Sequence, residues 1–238
     1  MKILILLAYY DRPNMVRNAL NSLARQDFSD WELAFVDDTS ATPGEPIVRE
    51  ILHGHLHKVR FFNTNDPDKK LRGSMFCKFW NEAILTSDAG ASIMLCDDDA
   101  LFPGYLAGLS RWFEKNPRSN YTFGHVVAFD PFQVRSLDAM PAKTENRLNR
   151  TGRVKPALRL DASQVAWRNE AFHHYGVRFP YPLTKNPDEA LYYQLRKIWG
   201  SCPFNGMIAQ YKAIFSDQLG KRDNDDLYTV RDIDFRPT

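Results

Sequence analysis

Three consecutive aspartates, Asp97-Asp98-Asp99, follow the apolar run from Ala91 to Leu95. Two like charges ~4 Å apart repel by ~4 kcal/mol at an effective dielectric near 20. A triplet at a strand end therefore calls for a cation or a set of donors to offset it. Asp97 and Asp99 stand one residue apart, so an extended turn lets both reach a hard divalent cation together with phosphate oxygens. The bland alternative is a solvated acidic turn with an aspartate capping the next helix. Two other apolar runs end in similar fashion. Tyr9-Tyr10-Asp11 closes the run from Ile3 to Ala8, and Asp37-Asp38 closes the run from Trp31 to Val36. Ligands of open α/β sheets bind outside the carboxyl ends of the strands, so these polar ends are expected to converge on one site.

Other clusters carry less. His53, His55 and His57 alternate as HGHLH, with no acidic partner between them, and a solvated helix end accounts for them. His173-His174 are expected to end a surface helix. Cys96 has no basic neighbour and is expected to be a small buried filler, not a nucleophile. Phe76, Phe79 and Trp80 recur at helical spacing and read as core. The segment from Lys143 to Arg159 holds Lys143, Arg147, Arg150, Arg153, Lys155 and Arg159, with Glu145 as its only acid. It is either a solvated face or an acceptor loop that grips phosphates. No Walker lysine loop and no G-x-G-x-x-G accompanies the acidic triplet, which weakens ATPase and dinucleotide readings.

The elements that must position these residues follow from hydrophobic periodicity. Ile3 to Ala8 is a continuous apolar run, as in a strand buried on both faces. Asp11 as a polar cap and Pro13 in the first turn open a helix carrying Met15, Val16, Ala19, Leu20 and Leu23 on one face. Trp31 to Val36 is a second strand, Pro46 opens a second helix, and Val59 to Phe62 is a third strand. Phe76 to Ile84 marks another helix and Ala91 to Leu95 another strand. This alternation predicts an α/β fold with a doubly wound, mostly parallel sheet. Beyond it, Tyr121 to Phe129 is expected as a strand, Pro131 to Pro156 as a polar loop and Asp161 to Trp167 as extended. Pro187 to Trp199 is expected as a helix and Met207 to Tyr211 as a short strand. The tail from Lys221 has few apolar anchors and is expected to be mobile or to fold back as a lid.

The 238 residues suit one domain able to bury a core without disulfides. With 31 basic and 29 acidic residues the net charge is +2, which exerts no global pull toward nucleic acid or anionic membrane. Three distant cysteines, Cys77, Cys96 and Cys202, form no metal-ligand spacing and fit a reducing compartment. No run approaches the ~18–20 apolar residues of a membrane span. The expected location is cytoplasmic.

Five segments, read in order, resemble the family-2 glycosyltransferases of the GT-A fold, the inverting type that uses nucleotide sugars. KILILLAYYDRP is similar to the family's first strand and turn, and DWELAFVDDTS to its second strand. MLCDDDALFPGYL is similar to the "DxD" segment. DASQVAWRNEAF and NPDEALYYQL are similar to the acceptor strand and the helix that carries the base. The resemblance covers most of residues 2–200. It implies a Rossmann-like, mostly parallel sheet with helices on both faces and a less regular acceptor-binding C-terminal half. Residues 1–100 would form the nucleotide-sugar half and 101–238 the acceptor half of one domain.

The resemblance further implies that Ala8 and Tyr10 line the base pocket and that Asp38 hydrogen-bonds the nucleobase. It places Arg72, with Lys70 as a near competitor, beside the base or diphosphate. Asp97 would contact the ribose and share with Asp99 a Mn2+ or Mg2+ ion. Asp98 and Trp167 complete the expected substrate-binding set. Asp188 corresponds to the general base, with Glu189 as the adjacent alternative. No counterpart exists for a C-terminal metal-binding histidine, and Asp217 is a weak substitute. The implied donor is a nucleoside-diphosphate sugar, usually of uridine. The implied acceptor is a glycan or other hydroxyl-bearing molecule, down to a modified DNA base. Two other functions compete: a nucleotidyltransferase, and a catalytically inactive nucleotide- or glycan-binding module.

Overall fold

The computed structural model describes residues 1–66, 75–129, 162–182 and 187–213. Strand β1 (Ile3–Tyr9) is apolar or aromatic throughout and feeds two cores. Its odd-numbered side chains Ile3, Ile5, Leu7 and Tyr9 enter one core, and Leu4 and Leu6 enter the other. The alternation is the two-residue period of a strand with helices on both faces. Strand β2 (Trp31–Asp37) divides in the same way, with Leu33 and Phe35 on one side and Ala34 and Val36 on the other.

The first core is closed by α1 (Pro13–Ala24), α2 (Glu45–Ile51) and α4 (Tyr105–Lys115). The second is closed by α3 (Phe76–Thr86), α5 (Glu170–His174) and α6 (Pro187–Trp199). The remaining strands are β3 (Val59–Asn63), β4 (Ala91–Met94), β5 (Ala100–Leu101), β6 (Tyr121–Phe129), β7 (Val165–Arg168) and β8 (Phe204–Ala213). They form one sheet in the order β3-β2-β1-β4-β7-β6-β8-β5. From β3 to β4 the pairing is parallel. Strand β7 runs antiparallel to both β4 and β6, and β5 antiparallel to β8, while β6 and β8 are parallel. The fold is therefore the expected mixed α/β, mostly parallel sheet.

From β1 the chain steps one way to β2 and β3, then crosses to β4 on the other side. This reversal is a topological switch point, where loops leaving β1 and β4 part and leave a crevice. The loops that carry Tyr10 and the acidic triplet both start here.

Three expectations need correction. Asp11 does not cap α1: Arg12 holds the cap position, without a side-chain cap hydrogen bond. In place of the expected 161–167 strand, Ala162–Gln164 forms a 3-10 turn and the strand runs Val165–Arg168. Strand β8 is longer than expected, since Phe204 before the expected span and Lys212 and Ala213 after it also pair along β6. The HGHLH run lies on a 3-10 turn, His53–Lys58, with none of its residues buried.

Candidate active site

The two acidic residues that end β2 have different tasks. The Asp37 carboxylate accepts the Ser40 and Gly44 amide hydrogens, each at 2.9 Å, and so builds the 40–44 loop. Asp11, at a positive φ of 49°, completes that loop by accepting the Ala41 and Thr42 amides at 2.7 and 3.1 Å. Glycine is needed at 44, where a Cβ would fall 2.6 Å from both Phe35 and Tyr9 ring atoms. Asp38 is buried, and its amide is fixed by the Tyr9 carbonyl at 2.9 Å. The strand ladder thus continues one residue further and points the next turn into the crevice.

Beside it, the Thr39 and Thr64 hydroxyls lie 2.6 Å apart, and Thr39 Oγ1 accepts the Asp66 amide at 2.9 Å. Asp66 is a buried acid that the sequence reading did not single out. Its signal was available: β3 also ends in a polar run, Asn63-Thr64-Asn65-Asp66.

The triplet sits on the turn after β4. Leu95 still donates to the Leu6 carbonyl at 3.0 Å, and Asp99 turns back to donate to the Cys96 carbonyl at 3.2 Å. Asp97 then faces β1, where its carboxylate accepts the Tyr10 amide at 3.4 Å and Arg12 Nη1 at 3.0 Å. The same Nη1 lies 3.1 Å from Asp98 Oδ2. Burial pushes the Asp97 carboxyl up to about 6, against the opposing charge of Arg12. Asp99 is almost wholly buried, and Lys212 Nζ stands 3.8 Å from its Oδ2. The register explains the lysine. Ala100 pairs with Tyr211 in the antiparallel β5–β8 ladder, so the next position opposite Asp99 is Lys212.

The donor atoms of Cys96, Asp98 and Asp99 all lie within 4.8 Å of one another. Two carboxylates suit a hard cation such as Mn2+ or Mg2+, so the donor chemistry fits the expected ion. Asp98 is gathered with Asp99 and also meets Arg12, while Asp97 is held by Arg12 and the Tyr10 amide. Cys96 is not the buried filler expected but a partly exposed member of that group.

Asp188 and Glu189 lie in the first turn of α6, opened by Pro187. Leu191, Tyr192 and Leu195 anchor the helix in the second core. Cys77 is buried in the first turn of α3. Its thiol pKa is pushed up by burial first, then by the charges of Asp38 and Asp188. Tyr10 and Ala8 are both partly exposed at the end of β1.

Trp167 is a correction. The two-residue period of β7 sends Val165 and Trp167 into the second core, where the indole is fully enclosed and its ring packs against Phe172 and Phe179. Its role is packing, not substrate contact. Trp167→Ala should cost about 3–5 kcal/mol in urea unfolding and leave nucleotide affinity unchanged in the folded fraction. Lost affinity with full stability would return Trp167 to the site. Lys70, Arg72, the basic segment 143–159, Asp217 and the tail lie outside the described residues.

The model of glycosyl transferase family 2 matches residues 4–159. Among curated proteins of Bacillus subtilis (strain 168), CgeD is 24% identical over 123 residues, covering 51% of this chain and 28% of CgeD. EpsE of the same strain is 23% identical over 145 residues, covering 60% of this chain and 50% of EpsE. The chain thus spans half or less of the length of these relatives. Among solved structures, residues 1–349 of S. aureus TarS in complex with UDP-GlcNAc superpose with a TM-score of 0.65 at 14% identity, covering 91% of this chain and 59% of that one. The mannosyltransferase PcManGT from Pyrobaculum calidifontis, in complex with GDP-Man and Mn2+, also gives 0.65, at 15% identity, covering 90% and 57%. The likeness to both is one of fold. The family match covers the strands and turns that bring Tyr10, Asp38 and the acidic triplet together, and on that match the chain belongs to glycosyl transferase family 2.

Proposed function

We propose that this chain moves a sugar from a nucleoside-diphosphate sugar, of uridine in the first instance, to an acceptor hydroxyl with inversion. The observation that carries the reading is the convergence of Asp38, Asp97, Asp98 and Asp99 on the switch point of the sheet. The nucleotide sugars bound by TarS and by PcManGT support the donor class.

Asp38 would accept a hydrogen bond from an N–H of the base. Tyr10 and the backbone at Ala8 would line the base pocket, and Asp97 would meet the ribose hydroxyls. Asp98 and Asp99 would hold a manganese or magnesium ion, which when bound supplies positive charge against the departing diphosphate. Asp188 would accept the acceptor hydroxyl's proton as that oxygen attacks the anomeric carbon, leaving the proton on its carboxylate. Glu189 is the adjacent alternative for that role. No described helix is long and apolar enough to cross a membrane.

The test is slow hydrolysis of a panel of nucleotide sugars with manganese, read as free sugar and nucleoside diphosphate. The expected result is release from one or two members of the panel that stops when the metal is chelated. Release of pyrophosphate from a nucleoside triphosphate plus sugar phosphate would instead identify a nucleotidyltransferase. Nucleotide binding with no turnover of any donor would identify an inactive binding module.

A further inference from the structure

We propose that Arg12 couples metal binding to donor binding: it holds Asp97 and Asp98 while the acidic turn carries no cation, and moves to the donor's diphosphate when both ligands arrive. The proposal rests on the reading of residues 97–99 as the metal and diphosphate site.

The geometry points this way on three counts. First, a single guanidinium nitrogen serves two carboxylates, at 3.0 Å from Asp97 and 3.1 Å from Asp98. Second, the Arg12 side chain is only 18% exposed, and a guanidinium is always protonated, so a full positive charge is held against the two carboxylates. Third, Lys212 stands 3.8 Å from Asp99. Among the described residues, the three carboxylates thus face two cations, Arg12 held against Asp97 and Asp98 and the partly exposed Lys212 near Asp99. That is a poor site for a dication on its own, because the ion would approach Asp98 against a guanidinium already in place.

A nucleoside diphosphate changes the balance. It brings further negative charge and phosphate oxygens, which a guanidinium binds in bidentate fashion. Arg12 sits at the cap position of α1, in the turn between β1 and the helix, without a side-chain cap bond to break. Once Arg12 moves to the diphosphate, Asp98 is released to the metal. By linkage, nucleotide then raises metal affinity by the same factor as metal raises nucleotide affinity.

The experiment measures Mn2+ binding by electron paramagnetic resonance, with no nucleotide and with UDP or GDP, allowing for the manganese–nucleotide complex in solution. In the wild type, nucleotide should tighten Mn2+ binding at least about fivefold, the lower end of ordinary coupling. Arg12→Gln should bind Mn2+ alone about tenfold more tightly, and its coupling factor should fall toward one. Arg12→Lys, which keeps the charge but loses the planar fork, should fall between the two. Additive binding in the wild type overturns the proposal without any variant. So does Mn2+ binding to Arg12→Gln no tighter than to the wild type. If the wild type takes up no Mn2+ even with nucleotide, the site reading itself fails and the proposal fails with it. Measurable uptake in both proteins with unchanged coupling rejects the role of Arg12 alone.

Discussion

Asp188→Asn should lower turnover by about 10²–10⁴-fold, the usual contribution of a general base, with donor affinity close to wild type. The split between the two readouts follows from position. Asp188 is in the first turn of α6, where the positive end of the helix dipole favours the ionised carboxylate. The helix itself is fixed through Leu191, Tyr192 and Leu195 in the second core, none of which the substitution touches. The amide is nearly isosteric with the carboxylate, so geometry is kept while the proton acceptor is lost. Turnover would be followed with the acceptor present, and donor affinity by calorimetry. Glu189→Gln is the necessary companion. If it produces the larger loss of turnover, the base is the second acid of the turn and not the first. If neither changes turnover, α6 does not carry the base.

Much of this site follows from the primary structure, for a physical reason. Strands buried on both faces must be apolar at nearly every position, so β1, β2 and β4 stand out as runs, and the polar residues that end them mark the same edge of a parallel sheet. Helix α6 shows itself by Pro187, two acids and a helical spacing of apolar residues. What the chain order does not encode is which way each member of a polar run points. Asp37 and Asp38 are neighbours, yet one builds a loop and the other ends the strand ladder. In the triplet, the chain turns back from Asp99 to Cys96; Asp98 lies with Asp99, Arg12 meets both Asp97 and Asp98, and Asp97 alone accepts the Tyr10 amide. Lys212 reaches Asp99 only through the β5–β8 register, and β5 is two residues long, too short for a periodic signal. Asp11 looked like a helix cap by its distance from Pro13, but its backbone is left-handed and its carboxylate serves the 41–42 amides instead. Trp167 stands in the segment similar to the family's acceptor strand, but the strand period puts it on the core side with Val165.

Asp99→Asn should abolish the metal-dependent part of nucleoside-diphosphate binding. Losing an outer partner of a metal ligand already costs about 10–100-fold in affinity, so losing a ligand itself should exceed that range. The fold should survive the change. Asn keeps the shape, one of three adjacent negative charges is removed, and Lys212, 31% exposed at its side chain, can turn to water. Calorimetric titration with nucleoside diphosphate should therefore give the same weak affinity with and without manganese in Asp99→Asn, and two different affinities in the wild type. The neighbouring substitutions rank the geometry. Asp98→Asn should weaken metal binding more than Asp97→Asn, because the donor atoms of Asp98 and Asp99 lie together while Asp97 faces Arg12 and the Tyr10 amide. Asp97→Asn should act chiefly on nucleotide affinity measured without metal. Unchanged affinity for nucleoside diphosphate plus manganese in Asp99→Asn would remove the metal from this site. The reverse order of Asp97 and Asp98 would instead show that the turn reorganises when the ion enters, bringing Asp97 and Asp99 onto one cation as their spacing in the chain suggests.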